Sequence, residues 1–241
     1  VEALNLSEIH DELEVIFFDA AGTLFEVRGS VGEIYHKFAR RYGIEVEPEL
    51  IQQAFSREFR HQPPLAFPPD TSEPDLYRLE FEWWKMLVRK VFTGHNFPRF
   101  DDFFAEVFEF FRGPDAWQLF DDVIPVLTAL KKSGRRLAII SNFDSRLIEV
   151  LDQLGIDRFF DGVHLSSRIG SAKPDRRIFL EALRIHGIEP GQALHLGDSL
   201  REDVEGASAA GLRAVWLDRG GSFPDNPPAI RITRLEQLIN P

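Results

Sequence analysis

The 241-residue sequence predicts an α/β protein, a doubly wound parallel sheet interrupted by an all-helical insert. Three observations carry this. From about residue 113 onward, short apolar runs alternate with helix-period segments, which implies right-handed crossovers and a sheet covered on both faces. One more apolar run, Val15-Ile16-Phe17-Phe18, stands alone far upstream. Between them, residues 29–112 hold helical spacing and no strand pattern. A core is therefore expected over residues 1–28 and 113–241, with a separate helical domain over 29–112.

In chain order, Val15 to Phe18 reads as a buried strand. Val31 to Tyr42 reads as a helix with Ile34, Phe38 and Tyr42 on one face. Pro48 and the acids around it open a second helix, since proline and acidic side chains suit a first turn. Five prolines between Pro63 and Pro74 mark a break. Asp75 to Phe92 and Asp101 to Phe111 are two further helices, closed by Gly113-Pro114. Asp121 to Lys132 is a helix ended by Ser133-Gly134. "RLAIIS" is a strand, Asp144 to Leu154 a helix, "GVHLS" a strand and Pro174 to His186 a helix. "ALHLGDS" is a strand, Arg201 to Ala210 a helix and "RAVWLD" a strand.

Composition narrows the function. A formal net charge of −11 argues against nonspecific binding to nucleic acid or an anionic membrane. The chain has no cysteine, which removes thiolate catalysis, disulfides and Cys-ligated zinc. No apolar run reaches membrane-spanning length. The acidic opening "VEALNLSEIHDELE" has no apolar segment of a secretory signal. A cytoplasmic protein is the default expectation.

In sheets of this kind, ligands bind beyond the carboxyl ends of the strands. Polar residues follow four strands there: Asp19, Ser141-Asn142, Ser166-Ser167 and Asp198-Ser199. Lys173 sits just before a helix. Two acids, a hydroxyl and a lysine converging on one place suit a divalent cation and a phosphoryl group. Asp19 is the sharpest signal, because a carboxylate at the end of a buried strand is costly unless it has a partner or a task. Asp203 suits metal support and helix-capping electrostatics about equally. Asp144 suits an N-cap. Adjacent Trp83 and Trp84 cannot share one helix face, so one of them is expected to line a cleft. Phe103, Phe104, Phe108, Phe110 and Phe111 read mostly as core, and His61 and His95 as surface.

These residues resemble the motifs of the haloacid dehalogenase superfamily. "DAAGTL" is similar to its first motif, with Asp19 as nucleophile. "IISN" is similar to the second, "AKPD" to the third and "GDSLRED" to the fourth, all in the family's order. Residues 29–112 stand in the place of a helical cap. The finer resemblance is to the dehalogenase-like and REG-2-like branch. It implies a Rossmann-like core, an aspartyl-phosphate on Asp19, and Mg²⁺ held by Asp19, the Ala21 carbonyl and Asp198, with Asp203 behind. It also implies phosphoryl binding by Ser141, Asn142 and Thr23, charge neutralisation by Lys173 as a catalytic residue, and a small phosphorylated substrate.

One position departs from the family. Its phosphatases place an acid–base aspartate two residues after the nucleophile, and Ala21 stands there instead. Such a group is typically worth about 10²–10⁴-fold. The expectation ranked first is a phosphohydrolase lacking this acid, with Asp70, Glu73 or His61 as stand-ins. The alternatives are a noncatalytic phosphate- or metabolite-binding protein, a 2-haloacid dehalogenase, and a phosphonatase using Lys37, Lys85 or Lys90.

Overall fold

The computed structural model describes residues 13–221 and 229–239; most of the acidic opening lies outside them. Six parallel strands form one sheet in the order β5-β4-β1-β6-β7-β8. They are β1 (Val15–Phe18), β4 (Arg136–Ser141), β5 (Gly162–Leu165), β6 (Ala193–Gly197), β7 (Arg213–Leu217) and β8 (Ile230–Ile232). β1 lies at the centre, paired with β4 on one side and β6 on the other. The strand order reverses there, so the carboxyl end of β1 is the crevice where such sheets bind ligands.

The continuous apolar run of β1 is explained by burial on both faces. Ile16 and Phe18 pack into one core layer with Val126, Leu127, Leu147 and Leu151. Val15 and Phe17 pack into the other with Ile178, Phe179, Ala182 and Ala207. The first layer is covered by helices Val123–Lys132 and Arg146–Gln153, the second by Arg176–His186 and the short Gly206–Ala209. Several helices start later than the sequence reading. Arg176–His186 begins after Pro174, capped by Asp175, whose side chain accepts from Arg177 N. The expected helix Arg201 to Ala210 is instead a stretch of π-helical turns over Leu200–Glu205 followed by Gly206–Ala209. β8 and a two-stranded antiparallel pair, β2 (Phe25–Val27) with β3 (Trp117–Leu119), were not foreseen. At three residues each, β2, β3 and β8 show too little period to read.

The chain leaves the sheet along β2 and returns along β3. Four helices lie between: α1 (Val31–Arg40), α2 (Pro48–His61), α3 (Glu73–Val91) and α4 (Phe100–Phe110). Ser30 and Glu33 form a reciprocal capping box on α1, and Ser72 caps α3. This block buries its own aromatic cluster, including Tyr35, Phe38, Phe92, Phe100, Phe103, Phe104 and Phe108. Each fully buried aromatic contributes roughly 1.5–3 kcal/mol, so the block is held chiefly by these rings.

Candidate active site

Asp19 leaves β1 with its amide donating to Leu196 O at 2.8 Å. The backbone then turns sharply: Thr23 N and Leu24 N return to Ala20 O, and Gly22 takes φ +91°. Only glycine fits there. A β-carbon on Gly22 would lie 2.6 Å from Asp198 Oδ2, besides straining the backbone. Gly197 is equally constrained, since a β-carbon would lie 2.1 Å from Asp203 Cγ. The loop is clamped from outside. Arg219 donates to Thr23 O at 2.9 Å and forks onto buried Asp122 at 3.1 and 3.0 Å.

The ends of β1, β4 and β6 converge, with Lys173 beside them. Ser141 Oγ donates to Asp19 Oδ1 at 3.0 Å, and Lys173 Nζ donates to the same oxygen at 2.7 Å. Lys173 Nζ also donates to Asp203 Oδ1 at 2.6 Å. Asn142 locks the lysine's backbone from both sides: its Nδ2 donates to Lys173 O at 2.9 Å and its Oδ1 accepts from Lys173 N at 2.7 Å. The same Nδ2 reaches Glu202 Oε2 at 3.1 Å. Far from being a solvated surface cation, Lys173 is 4% exposed.

Asp203 is buried, and it serves the start of the Leu200–Glu205 turns, where Ser199 is the N-cap, as well as the charge network. Its Oδ1 accepts from Lys173 and faces His195 Nε2 at 2.9 Å, while Oδ2 accepts from Ser199 N at 2.9 Å. Buried His195 was missed by the sequence reading. A histidine in an apolar strand run carries no signal until its neighbour across the turn is known.

The carboxylates differ in their charge balance. Burial raises the Asp19 carboxyl above its usual range, against the pull of Lys173. Asp203 is buried too, but Lys173 and His195 outweigh that and hold it below the usual range. Lys173 is held above its usual value, because Asp19 and Asp203 outweigh its burial. Among the described residues, Asp198 has no ion-pair partner. It opens onto the cavity but is walled in by protein, and this burial, with the charges of Asp19 and Asp203, pushes it to about 7. Its hydrogen-bond partner is Thr23, whose Oγ1 donates at 3.4 Å. Thr23, expected to bind substrate, is fully buried outside the cavity and instead supports Asp198. Asp19, Asp198 and Asp203 offer carboxylate oxygens that all lie within 4.8 Å of one another.

These groups form one end of a cavity of about 530 Å³ whose other walls come from the helical block. Ala21, Ser141, Asn142, Lys173, Asp198 and Glu202 line it together with Asp19. Ser166 and Ser167 do not; Ser166 Oγ donates to Leu65 O in the helical block instead. Both Trp83 and Trp84 line the cavity, correcting the expectation of one, because the Pro63-Pro64 segment that packs beside them also borders it. Asp70, Glu73 and His61 do not line it. Glu73 is exposed and grips Arg168 with both oxygens, and His61 Nδ1 contacts Arg57 O. Nor do Lys37, Lys85 or Lys90 line it; Lys90 donates to Gln62 Oε1 and Lys85 pairs with Asp101.

A buried ion pair joins the two halves of the cavity. Asp144, expected as an N-cap, does accept from Arg146 N at 3.0 Å, but mainly it binds the Arg146 guanidinium through both oxygens. Its Oδ2 also accepts from Trp84 Nε1 at 2.6 Å. Arg146 Nη1 donates to Phe108 O, and its guanidinium lies 3.8 Å over the Phe108 ring. Glu80, 1% exposed, accepts from Ser145 N and Oγ. Arg146 and Glu80 were not singled out in sequence, because each sits in an ordinary helix pattern.

The chain is similar to known proteins. A family model described as haloacid dehalogenase-like hydrolase matches residues 13–211. The chain is 34% identical over 216 residues to haloacid dehalogenase-like hydrolase domain-containing protein 3 of Mus musculus, covering 88% of this chain and 84% of that one. It is 41% identical over 128 residues to a glyceraldehyde 3-phosphate phosphatase of Methanopyrus kandleri, covering 50% of this chain and 55% of that one. Among solved structures it is similar to a phosphatase of the superfamily from Thermococcus onnurineus, at a TM-score of 0.68 and 25% identity, covering 95% and 97% of the two chains.

Proposed function

The chain belongs to the haloacid dehalogenase-like hydrolases, and from that premise we propose that it is a Mg²⁺-dependent phosphohydrolase acting on a small phosphorylated metabolite. Residues 1–28 and 113–241 form its catalytic core in this reading, and residues 29–112 its cap. The observation that carries the reading is the convergence of Ser141 and Lys173 on one oxygen of Asp19 beside a second, cation-free carboxylate, Asp198. The phosphatase names among its relatives support it.

A divalent cation fits the residues present. Three carboxylates against one lysine leave a formal excess of two negative charges within a few ångströms. Both oxygens of Asp203 are already engaged, so Asp19 and Asp198, with the Ala21 carbonyl, would hold Mg²⁺, and Asp203 would hold Lys173. When bound, Mg²⁺ would neutralise charge on the carboxylates and on the phosphoryl oxygens.

The remaining chemistry belongs to the chain. A carboxylate oxygen of Asp19 attacks phosphorus, and the ester oxygen leaves with its bonding pair. Lys173 and Ser141 hold the carboxylate in position, and Lys173, with the backbone at Asn142, stabilises charge spread over the phosphoryl oxygens. Water then attacks phosphorus; its oxygen enters the released phosphate, its proton passes to solvent, and Asp19 is restored. Ala21 supplies no proton in the first step and accepts none in the second, so with an ester whose oxygen leaves without a proton the second step is the slow one, phosphoenzyme accumulates and a burst precedes slow turnover.

The test is a panel of phosphate esters with and without Mg²⁺, with chloroacetate and phosphonoacetaldehyde included, and acid quenching to trap a phosphorylated Asp19 peptide. Mg²⁺-dependent phosphate release with label on Asp19 is the expected result. Phosphate bound but never released would favour a noncatalytic binding protein. Chloride release without Mg²⁺ would overturn the phosphoryl assignment.

A further inference from the structure

We infer that the ester group of the substrate is an uncharged aromatic body, so that the preferred substrates are aryl phosphate monoesters. This rests on the phosphohydrolase reading above and concerns the other end of the same cavity. The helical block lines that end with hydrocarbon. Tyr35, Phe55, Phe59, Trp83, Trp84 and Phe108 face the cavity, together with further aliphatic and aromatic residues. Among the described residues of the block that line it, none is a carboxylate, lysine, arginine or histidine.

Apart from the Tyr35 hydroxyl, the few polar groups there are spent within the protein. Trp83 Nε1 donates to Pro63 O and Trp84 Nε1 to Asp144. Gln62 donates to Trp83 O and accepts from Lys90. Arg146, the cation between the two halves, has its charge matched by Asp144 and its third nitrogen on Phe108 O. A substrate carboxylate would find no unmatched cation at that position. A polyhydroxylated body would lose water there and regain few hydrogen bonds, at a cost for each hydroxyl left unpaired. An aromatic body meets rings of the kind it packs against best, edge-on or offset. Exposed Arg201 also lines the cavity, but it comes from the turns after β6 and not from the helical block.

A second observation agrees independently. Ala21 removes the group that would protonate a departing alkoxide, and an aryl oxygen leaves as a phenolate with less need of a proton. The aromatic wall and the missing acid therefore select the same class of ester.

Binding of stable phosphonates separates this inference from the reading it rests on. Titration calorimetry with Mg²⁺ present would compare 1-naphthylmethylphosphonate, methylphosphonate and 2-aminoethylphosphonate. Burial of the naphthyl surface should make the first bind about 100-fold more tightly than the second. The substitution Phe59→Gln, at a cavity-lining ring that is 43% exposed, should shrink that advantage several-fold. Equal affinity for naphthylmethyl- and methylphosphonate, or tighter binding of the aminoethyl compound, would overturn the aromatic class and leave the phosphoryl site standing. Failure of all three to bind would overturn both. On the catalytic side, kcat/KM should be higher for 2-(1-naphthyl)ethyl phosphate than for glycerol 3-phosphate, two alkyl esters that do not differ by a phenolate; the reverse order would also sink the inference.

Discussion

The two ends of the cavity are built by opposite means. At the strand ends, nearly every polar atom is positioned by another: Asn142 locks the backbone of Lys173, Lys173 bridges Asp19 and Asp203, and Ser199 N and His195 complete Asp203. The opposite end is a mosaic of rings, with Trp83 on Trp84 at 5.0 Å, Phe55 on Phe59 at 5.6 Å and Phe59 on Trp84 at 6.1 Å. A hydrogen-bonded charge network tolerates no vacancy, because a lost partner strands a buried charge. A ring mosaic loses contact area in proportion to what is removed. Substitutions at the charged end should therefore act steeply, and those at the aromatic end in graded steps.

The comparison breaks first, if it is wrong, at Lys173. The change Lys173→Met removes the cation that bridges two buried carboxylates. We expect phosphate release to fall by about 10²–10³-fold, by analogy with loss of a preorganised charge stabiliser. Stability should fall by about 3–5 kcal/mol as the carboxylates lose their partner. Urea unfolding and phosphate release measured on one preparation would check both; a variant as stable and as active as the parent would mean that the network is ornamental.

Outside both ends, at the sheet edge, His164 Nε2 lies 2.9 Å from His186 Nε2. This pair sharpens the comparison, because buried His164 is hydrogen-bonded to half-buried His186 and not to a carboxylate. Burial, then the charge of His186, depresses His164 from 6.5 to about 4. The folded protein therefore binds fewer protons than the unfolded chain between those values. This contribution is fully present above pH 6.5 and is lost as pH falls toward 4, amounting to about 3 kcal/mol. Denaturant titrations across that window should show the loss, and His164→Phe should flatten it. An unchanged slope in the variant would assign the effect elsewhere.

At Ala21 the charged end is incomplete, and restoring an acid tests whether that gap limits turnover. Ala21 borders the cavity and is only partly buried, which leaves room for a longer side chain. Ala21→Asp should raise turnover of alkyl phosphates by about 10²-fold, and of activated aryl phosphates by less. Stopped-flow traces should also lose their burst. Equal rates in the two proteins would mean that another group already supplies the proton.

The smallest expected effect lies where the two ends meet. Trp84→Phe keeps a ring but removes the hydrogen bond to Asp144 Oδ2. A bond to a charged acceptor contributes about 1.5–3 kcal/mol, and Arg146 still holds Asp144, so the loss should sit near the lower figure. Thermal unfolding would measure it. A loss as large as that of Lys173→Met would show that the aromatic end is as brittle as the charged one.

Much of the charged end was legible because its residues are adjacent to apolar runs. Asp19, Ser141 and Asp198 each follow a strand, and a parallel sheet brings such ends together. Their partners were harder to read. His195 lies inside a strand, Glu80 and Arg146 lie inside helices, and nothing local distinguishes them from residues of ordinary amphipathic segments. Asp144 and Thr23 were read only in part for a related reason. A side chain next to a helix start or a substrate loop has a local role and a tertiary one, and only the second involves Arg146, Trp84 or Asp198. The stand-ins Asp70, Glu73 and His61 were placed by type alone, and type does not tell which side of the helical block faces the cavity.

By itself, then, the sequence determined the alternation of strands and helices, the position of the helical block after the first strand, and the residues that end the central strands. Those follow from periodicity and from the cost of burying a lone carboxylate, both of which are local. The tertiary structure alone decided which oxygens Lys173 bridges, that Asp198 stands without a cation, and that the helical block offers rings rather than acids to the cavity. These depend on how separate elements are oriented against one another, and pairwise distances of a few ångströms between residues far apart in sequence leave no trace in local pattern.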